Sequence, residues 1–371
     1  MKKWRTFSLG EVLTLQRGFD LPAQDRKPGT VPIVTSAGIS GTHAEAKIKA
    51  PGVVTGRYGT VGQVYYVTKD FWPHNTTLFV KDFKGNDPRF ASYLLRTINF
   101  LSCSDKSSVP GVNRNHLHQI EVQIPDPDEQ RAIANVLGTL DDKIELNRQM
   151  NETLEGLAQT LFKNWFVDAA ATKLPKGWRE GTLGEVAENP RRGIQPDQIK
   201  SSTPYIGLEH MPRRCIALSD WGHADELESN KFEFERGEIL FGKLRPYFHK
   251  VGVAPVDGVC STDILVVRPK SPEWFGFVLG HVSSVELVNH TNAASTGTKM
   301  PRASWNDVAR FEVALPPESV AAEFTDLIRS MIDRMVANIH ESRTLAELRD
   351  TLLPKLLSGE LRVLAARMEV V

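Results

Sequence analysis

The chain has 371 residues, too many for one ordinary hydrophobic core, and suggests two or three domains. Basic and acidic residues both number 45, so the formal charge is zero, but residues 1–125 hold 16 Lys+Arg against 9 Asp+Glu while 126–170 hold 4 against 9. Cys103, Cys215 and Cys260 are too few and too scattered for a disulfide framework or metal set, and the N-terminus meets Glu11 before any apolar run long enough for a signal peptide. A soluble, cytoplasmic protein without membrane association is expected.

Residues 1–125 form a first globular region, opening with Trp4, Arg5, Leu9, Gly10, Glu11 and Val12. Short β-branched and aromatic runs, Gly62 to Val67 and Leu78 to Val80, alternate with Gly and Pro and predict strands. Arg89 to Leu101 reads as helix. His116 and His118, alternating around Leu117, read as a strand face or loop.

Residues 126–168 predict one long helix. Asp126 suits the N-cap, Pro127 the first helical position, and Glu129 a capping box. Ile133, Leu137, Leu140, Ile144, Asn147, Asn151, Leu154, Ala158, Leu161 and Trp165 recur at alternating steps of four and three, the seam of a coiled coil. Roughly forty residues at 1.5 Å each make a rod of about 60 Å. A linker, 169–177, leads to a second strand-rich region, 178–316.

That region repeats the first. Trp178, Arg179, Leu183, Gly184, Glu185 and Val186 stand 174 residues after the opening set. Val53 to Arg57 returns as Ile239 to Lys243, and Thr76 to Val80 as Thr262 to Val266, both at an offset of 186. Ile120 to Pro125 corresponds to Phe311 to Pro316 at 191. Growing offsets place insertions in loops between shared strands. At 191 the helix recurs too, in 317–371, with seam Phe324, Ile328, Met331, Met335, Asn338, Ser342, Leu345, Arg349, Leu352 and Leu356. Asn147 and Asn151 thus return as Asn338 and Ser342, polar residues that either fix register inside the seam or face solvent in a loosely wound pair. Pro354 should break this helix near Leu352, with Gly359 as C-terminal cap. The fold class is α+β: two strand-rich α/β domains separated by two long antiparallel coiled-coil helices, with a pseudo-twofold repeat. Twofold pseudosymmetry with a fixed spacer suits duplex DNA.

Gly237 to Lys243 fits the first seven positions of a phosphate-binding loop, but Leu244 replaces the Ser/Thr and the interior reads as strand. Asn189-Pro190-Arg191 and Asn86-Asp87-Pro88 fall short of the methyltransferase Asn/Asp-Pro-Pro-aromatic loop. No metal or nucleophile motif appears, so no catalytic or metal residue is assigned.

The order domain, helix, domain, helix resembles the DNA specificity subunits of type I restriction-modification enzymes over the whole length. The resemblance rests on the two domain openings, on Ile124-Pro125-Asp126-Pro127-Asp128-Glu129-Gln130 and Leu315-Pro316-Pro317-Glu318, on Thr153 to Leu157 echoed by Thr344 to Leu348, and on Leu352 to Leu361. It implies two target recognition domains reading a split asymmetric sequence, and spacer helices that dock two methyltransferase subunits. It also implies two restriction/translocase subunits in the full complex. Catalysis then belongs to the partners, with S-adenosylmethionine, ATP and magnesium, and this chain carries no cofactor. The alternatives are a stand-alone nucleotide-binding enzyme using Lys243 and a structural coiled-coil interaction protein.

DNA contacts are expected from polar and basic loop residues. In the first copy these are Arg17, Arg57, Tyr58, Thr60, His74, Lys106, Ser107, Asn113 and Arg114, with Gly18, Gly56 and Gly59 permitting close approach. In the second they are Arg191, Arg192, Lys243, Arg245, Tyr247, Lys250, Thr298, Lys299 and Arg302. Aligning Arg302 with Arg114 leaves three extra residues before Pro316.

Overall fold

A computed structural model describes residues 4–103, 111–225, 227–294 and 300–363. The chain divides into two compact units, Met1–Asp142 with Leu345–Val371, and Lys143–Thr344. These do not coincide with the segments read from sequence. Each unit takes one part of both long helices, because those helical faces complete its core.

In the first unit Arg5–Ser8 pairs antiparallel with Glu121–Ile124, bringing the ends of the strand-rich region together. Ser8 and Glu11 close a capping box, with the Ser8 N–H donating to Glu11 at 2.8 Å, and start the turn Leu9–Val12. A four-stranded antiparallel sheet follows in the order Thr14–Arg17, Thr77–Asp82, Gly52–Gly56, Val64–Val67. Asp87 caps the helix Pro88–Arg96 by accepting the Phe90 N–H at 2.8 Å. Leu9, Val53, Phe90 and Leu95 pack with Ile133 and Leu137 of the first long helix and Leu356 of the second.

The second unit repeats this plan in register. Arg179–Thr182 pairs with Glu312–Leu315, and Arg179↔Leu315 is the shifted image of Arg5↔Ile124. Its four-stranded sheet runs Ala187–Glu188, Ile264–Pro269, Ile239–Gly242, Val251–Val253. A second sheet has five strands here and three in the first unit. Helices Phe275–Val282 and Val285–Ala294 follow the strand Ile264–Pro269. Phe162, Phe166, Phe277, Phe324 and Ile328 form an aromatic-rich core.

The ladders correct one alignment. Val54 faces Phe79, whereas Leu240 faces Val266, so this strand is displaced by 187 residues rather than 186. Pairing, which sequence similarity alone could not supply, fixes the correspondence.

The long helices run Pro127–Phe162, continuing as a π-helical turn Lys163–Asp168, and Glu318–Leu357. Asp126 caps the first by accepting the Glu129 N–H at 3.1 Å, while the Glu129 carboxylate accepts from Arg362 at 2.6 Å. Inside the second unit the helices lie antiparallel. Asn338 donates to Asn151 at 2.8 Å, Asn147 donates to Ser342 at 3.2 Å, and the 191-residue shift exchanges these two bonds. Both Asn147 and Asn338 are buried, so the polar seam faces the partner helix and not solvent. Ile133, Leu137, Phe324, Ile328 and Met335 are also buried, and Leu140, Ile144, Leu154, Leu161, Trp165, Met331, Leu345 and Leu352 are partly so.

Pro354 does not end the helix, contrary to the sequence expectation. Missing its N–H, it forgoes one helical bond, yet Ser358 donates to the Pro354 carbonyl at 2.9 Å and buried Leu356 and Leu357 hold the last turn in the core. Gly359, at φ +74°, then turns the chain away.

Candidate nucleic-acid interface

In the first unit the strand Gly52–Gly56 delivers a basic turn. Arg57 and Tyr58 donate backbone N–H bonds to the Thr76 carbonyl at 2.9 and 3.2 Å, and the Arg57 carbonyl accepts from Val112 at 3.1 Å. Tyr58 forms an antiparallel bridge with Gly111, where any side chain would strike the Tyr58 ring. The Arg57 guanidinium lies 4.5 Å from the Tyr58 ring centroid. A cleft of about 330 Å³ results, lined by Arg17, Arg57, Tyr58, Asn113 and Arg114 together with the backbone-facing Gly111 and Val112. Five residues chosen from sequence thus converge there.

Arg17 has Asp20 at 3.7 Å, an exposed and therefore weak ion pair. Asn113 is the N-cap of the short helix Arg114–His118. That helix corrects the reading of His116 and His118 as strand or loop: His118 Nε2 accepts the Leu15 N–H at 2.9 Å, a structural bond. Thr60 is exposed on the same turn as Arg57. His74 is half-buried with Nδ1 3.3 Å from the Thr76 hydroxyl, and burial, aided by Arg26, depresses its pKa.

The glycines serve the chain itself. A Cβ at Gly56 would come 1.9 Å from the Thr60 carbonyl oxygen, and one at Gly18 2.1 Å from that of His74, so close approach here is intramolecular. Lys106 and Ser107 lie outside the described residues, as do Thr298 and Lys299.

The second unit builds the same turn. Lys243 donates its backbone N–H to Asp263 at 2.9 Å and its carbonyl accepts from Ala303 at 2.9 Å, and Leu244 bridges Arg302 as Tyr58 bridges Gly111. Arg302 therefore corresponds to Gly111 and not to Arg114, and the three supposed extra residues disappear. The turn is more nearly neutral here, because Arg302 pairs with Asp263 at 3.1 Å. Arg245 holds φ +51° and donates to the Pro301 carbonyl at 2.8 Å, and Tyr247 is half-exposed, edge-on to Phe248 at 4.8 Å.

Two candidates turn inward. Arg192 pairs with Glu235 at 2.8 Å and with buried Glu238, and Lys250 donates to the Leu208 carbonyl at 2.5 Å with its pKa lowered by burial. Arg191 is exposed at φ +48°. Sequence reasoning missed Arg213, whose guanidinium stacks 4.0 Å over the Phe248 ring beside Tyr247. The Pro-Arg-Arg run at 212–214 was the available signal.

The phosphate-loop reading has no geometric counterpart. Ile239–Gly242 is a buried strand paired on both sides, so its N–H groups serve the sheet. Among the described residues no cluster of three or more His, Cys, Asp or Glu is placed to hold a metal, and no helix is long and apolar enough to cross a membrane.

The two units thus share one strand-and-turn plan, each completed by its own parts of both long helices. Residues 1–156 match the family described as type I restriction modification DNA specificity domain. The chain is 28% identical over 286 residues to the MjaIX specificity subunit of Methanocaldococcus jannaschii, covering 70% of this chain and 65% of that protein, thus less than two thirds of its length. It is 24% identical to the Escherichia coli EcoDI specificity subunit, covering 96% of this chain and 88% of that one. The crystal structure of a type I restriction-modification S subunit from M. genitalium superposes with a TM-score of 0.65 at 17% identity, over 96% of each chain. Residues 1–156 thus carry the match to a type I restriction modification DNA specificity domain, and the chain over most of its length is similar to specificity subunits of type I restriction enzymes.

Proposed function

We propose that this chain recognises duplex DNA in the cytoplasm, each head reading one half of a bipartite asymmetric target. The long helices set the unread gap and dock two methyltransferase subunits, and two restriction/translocase subunits complete the assembly. S-adenosylmethionine, ATP and magnesium act on those partners, and this chain contributes recognition and no chemistry of its own. The observation that carries this reading is the basic turn built twice on equivalent strands, at Arg57-Tyr58 and Lys243-Leu244, each bridged by the segment that leads to its long helix. Phosphate contacts from such turns would fix orientation, and side chains reaching base edges would supply sequence.

The test is exchange of residues 1–125 for the corresponding region of another such subunit, followed by mapping of methylated positions made by the assembled enzyme. One half of the target should change and the other persist. Loss of both halves, or no change in either, argues against division of reading between the heads.

A further inference from the structure

Counted back from their C-caps Thr97 and Ser283, the helices Pro88–Arg96 and Phe275–Val282 align Tyr93 with Leu279 and Arg96 with Val282. The 191-residue shift aligns Asp141 with Ile332 and Arg349 with Ala158. Packing supports both alignments, since Arg89 rests on Gly138 in the first unit and their counterparts Phe275 and Arg329 meet at 4.8 Å in the second, with the roles reversed. In the first unit Asp141 accepts from Tyr93 at 2.7 Å, Arg96 at 3.1 Å and Arg349 at 2.7 Å. The second unit replaces all four members with buried aliphatic residues.

Volume is not conserved in the exchange. Where the first unit places the Arg349 guanidinium, the second offers only the Ala158 methyl. A cavity of about 370 Å³ adjoins it, walled by Ala158, Phe162, Leu279, Phe324 and Ile328. Glu155, one helical turn before Ala158, also lines it and is 7% exposed. Glu155 Oε1 accepts from the Ile216 N–H at 3.0 Å and from Gln159 at 3.2 Å. Lys163, Arg214, Cys215, His249 and Glu286 also border the cavity, and Glu152 is the charged neighbour on the same helix. No cation pairs with Glu155 among the described residues.

We propose that this cavity binds an alkylguanidinium or alkylammonium group, its stem against Phe162 and Phe324 and its charge on Glu155. The guest reproduces from outside what Arg349 supplies from within in the other unit. Burial disfavours the charged form of a carboxyl, and a cation bound against it reverses that preference. Burial does raise the Glu155 pKa, so binding should weaken as pH falls and Glu155 takes up its proton.

The experiment is calorimetric titration of the full-length chain with n-butylguanidinium, using neutral n-butylurea as the matched control. Saturable binding is expected for the cation, at least about 10-fold tighter than for the urea and weakened about 10-fold or more by Glu155→Gln, as loss of a charge-assisted contact requires. Since Glu155→Gln also alters the Ile216 bond, Ala158→Arg serves as the second variant. It should fill the cavity with a tethered guanidinium, abolish titration and raise the melting temperature. Absence of binding, equal binding of butylurea, or undiminished binding to Ala158→Arg overturns the proposal. Repeating the titration on the chain assembled with its partner subunits separates the two sources of the group. Retained binding identifies a free small cation, and binding lost only on assembly identifies an arginine or lysine side chain of a partner.

Discussion

Replacing Asp141 with alanine tests how the first head grips the helix pair. In the folded chain the carboxylate gathers buried Tyr93, Arg96 and Arg349, with the two arginine side chains 22–26% exposed and its own 21%. Burial favours the protonated acid, but the hydrogen bonds from Arg349 and Tyr93 and the charge of Arg96 outweigh it, and the net pKa is lowered. Removing one partner of a fully buried ion pair costs about 3–5 kcal/mol, and the partial exposure here reduces that to roughly 2–3 kcal/mol. For a unit of this size, that corresponds to a fall of about 4–12 °C in melting temperature. Urea unfolding followed by circular dichroism would measure it. Because the folded pKa is depressed, the wild-type advantage is fully present above the unfolded value and is lost as pH falls through the folded one. The gap between wild type and variant should therefore be constant near neutrality and close in strong acid. A loss below about 0.5 kcal/mol, or a gap undiminished in acid, would refute the reasoning.

Asn338→Leu leaves the buried Asn151 amide short of a partner and should cost about 1–3 kcal/mol in denaturant titration, whereas Asn151→Leu with Asn338→Leu should recover most of that loss. Pro354→Ala restores a helical N–H in a continuous helix and should stabilise by about 1–3 kcal/mol, read as a raised melting temperature. Arg57→Ala should reduce the slope of log affinity against log salt by about 1 for duplex DNA bound to the assembled complex, while Lys250→Ala should leave that slope unchanged.

Much of the architecture was legible because it is written twice. Periodicity identifies the helix seam, and duplication alone makes Arg57 the counterpart of Lys243. Other features depend on tertiary context. The 187-residue displacement follows from strand pairing, and Arg302 shares its position with Gly111, two residue types that no similarity score would align. Arg192 and Lys250 read as free basic residues until Glu235, Glu238 and the Leu208 carbonyl are brought to them by the fold. Helix propensity placed a break at Pro354, but burial of Leu356 and Leu357 outweighs one lost bond. The replacement of the Asp141 cluster by aliphatic residues was equally hidden, since each substitution is unremarkable until the four side chains meet.

Footprinting of the partner-bound complex on its methylated target tests the central claim most directly. Two protected base segments should flank an unread gap, with Arg57→Ala weakening backbone contacts at one segment and Lys243→Ala at the other. A single continuous block of base-specific protection, or weakening of the same segment by both substitutions, would contradict recognition divided between two heads.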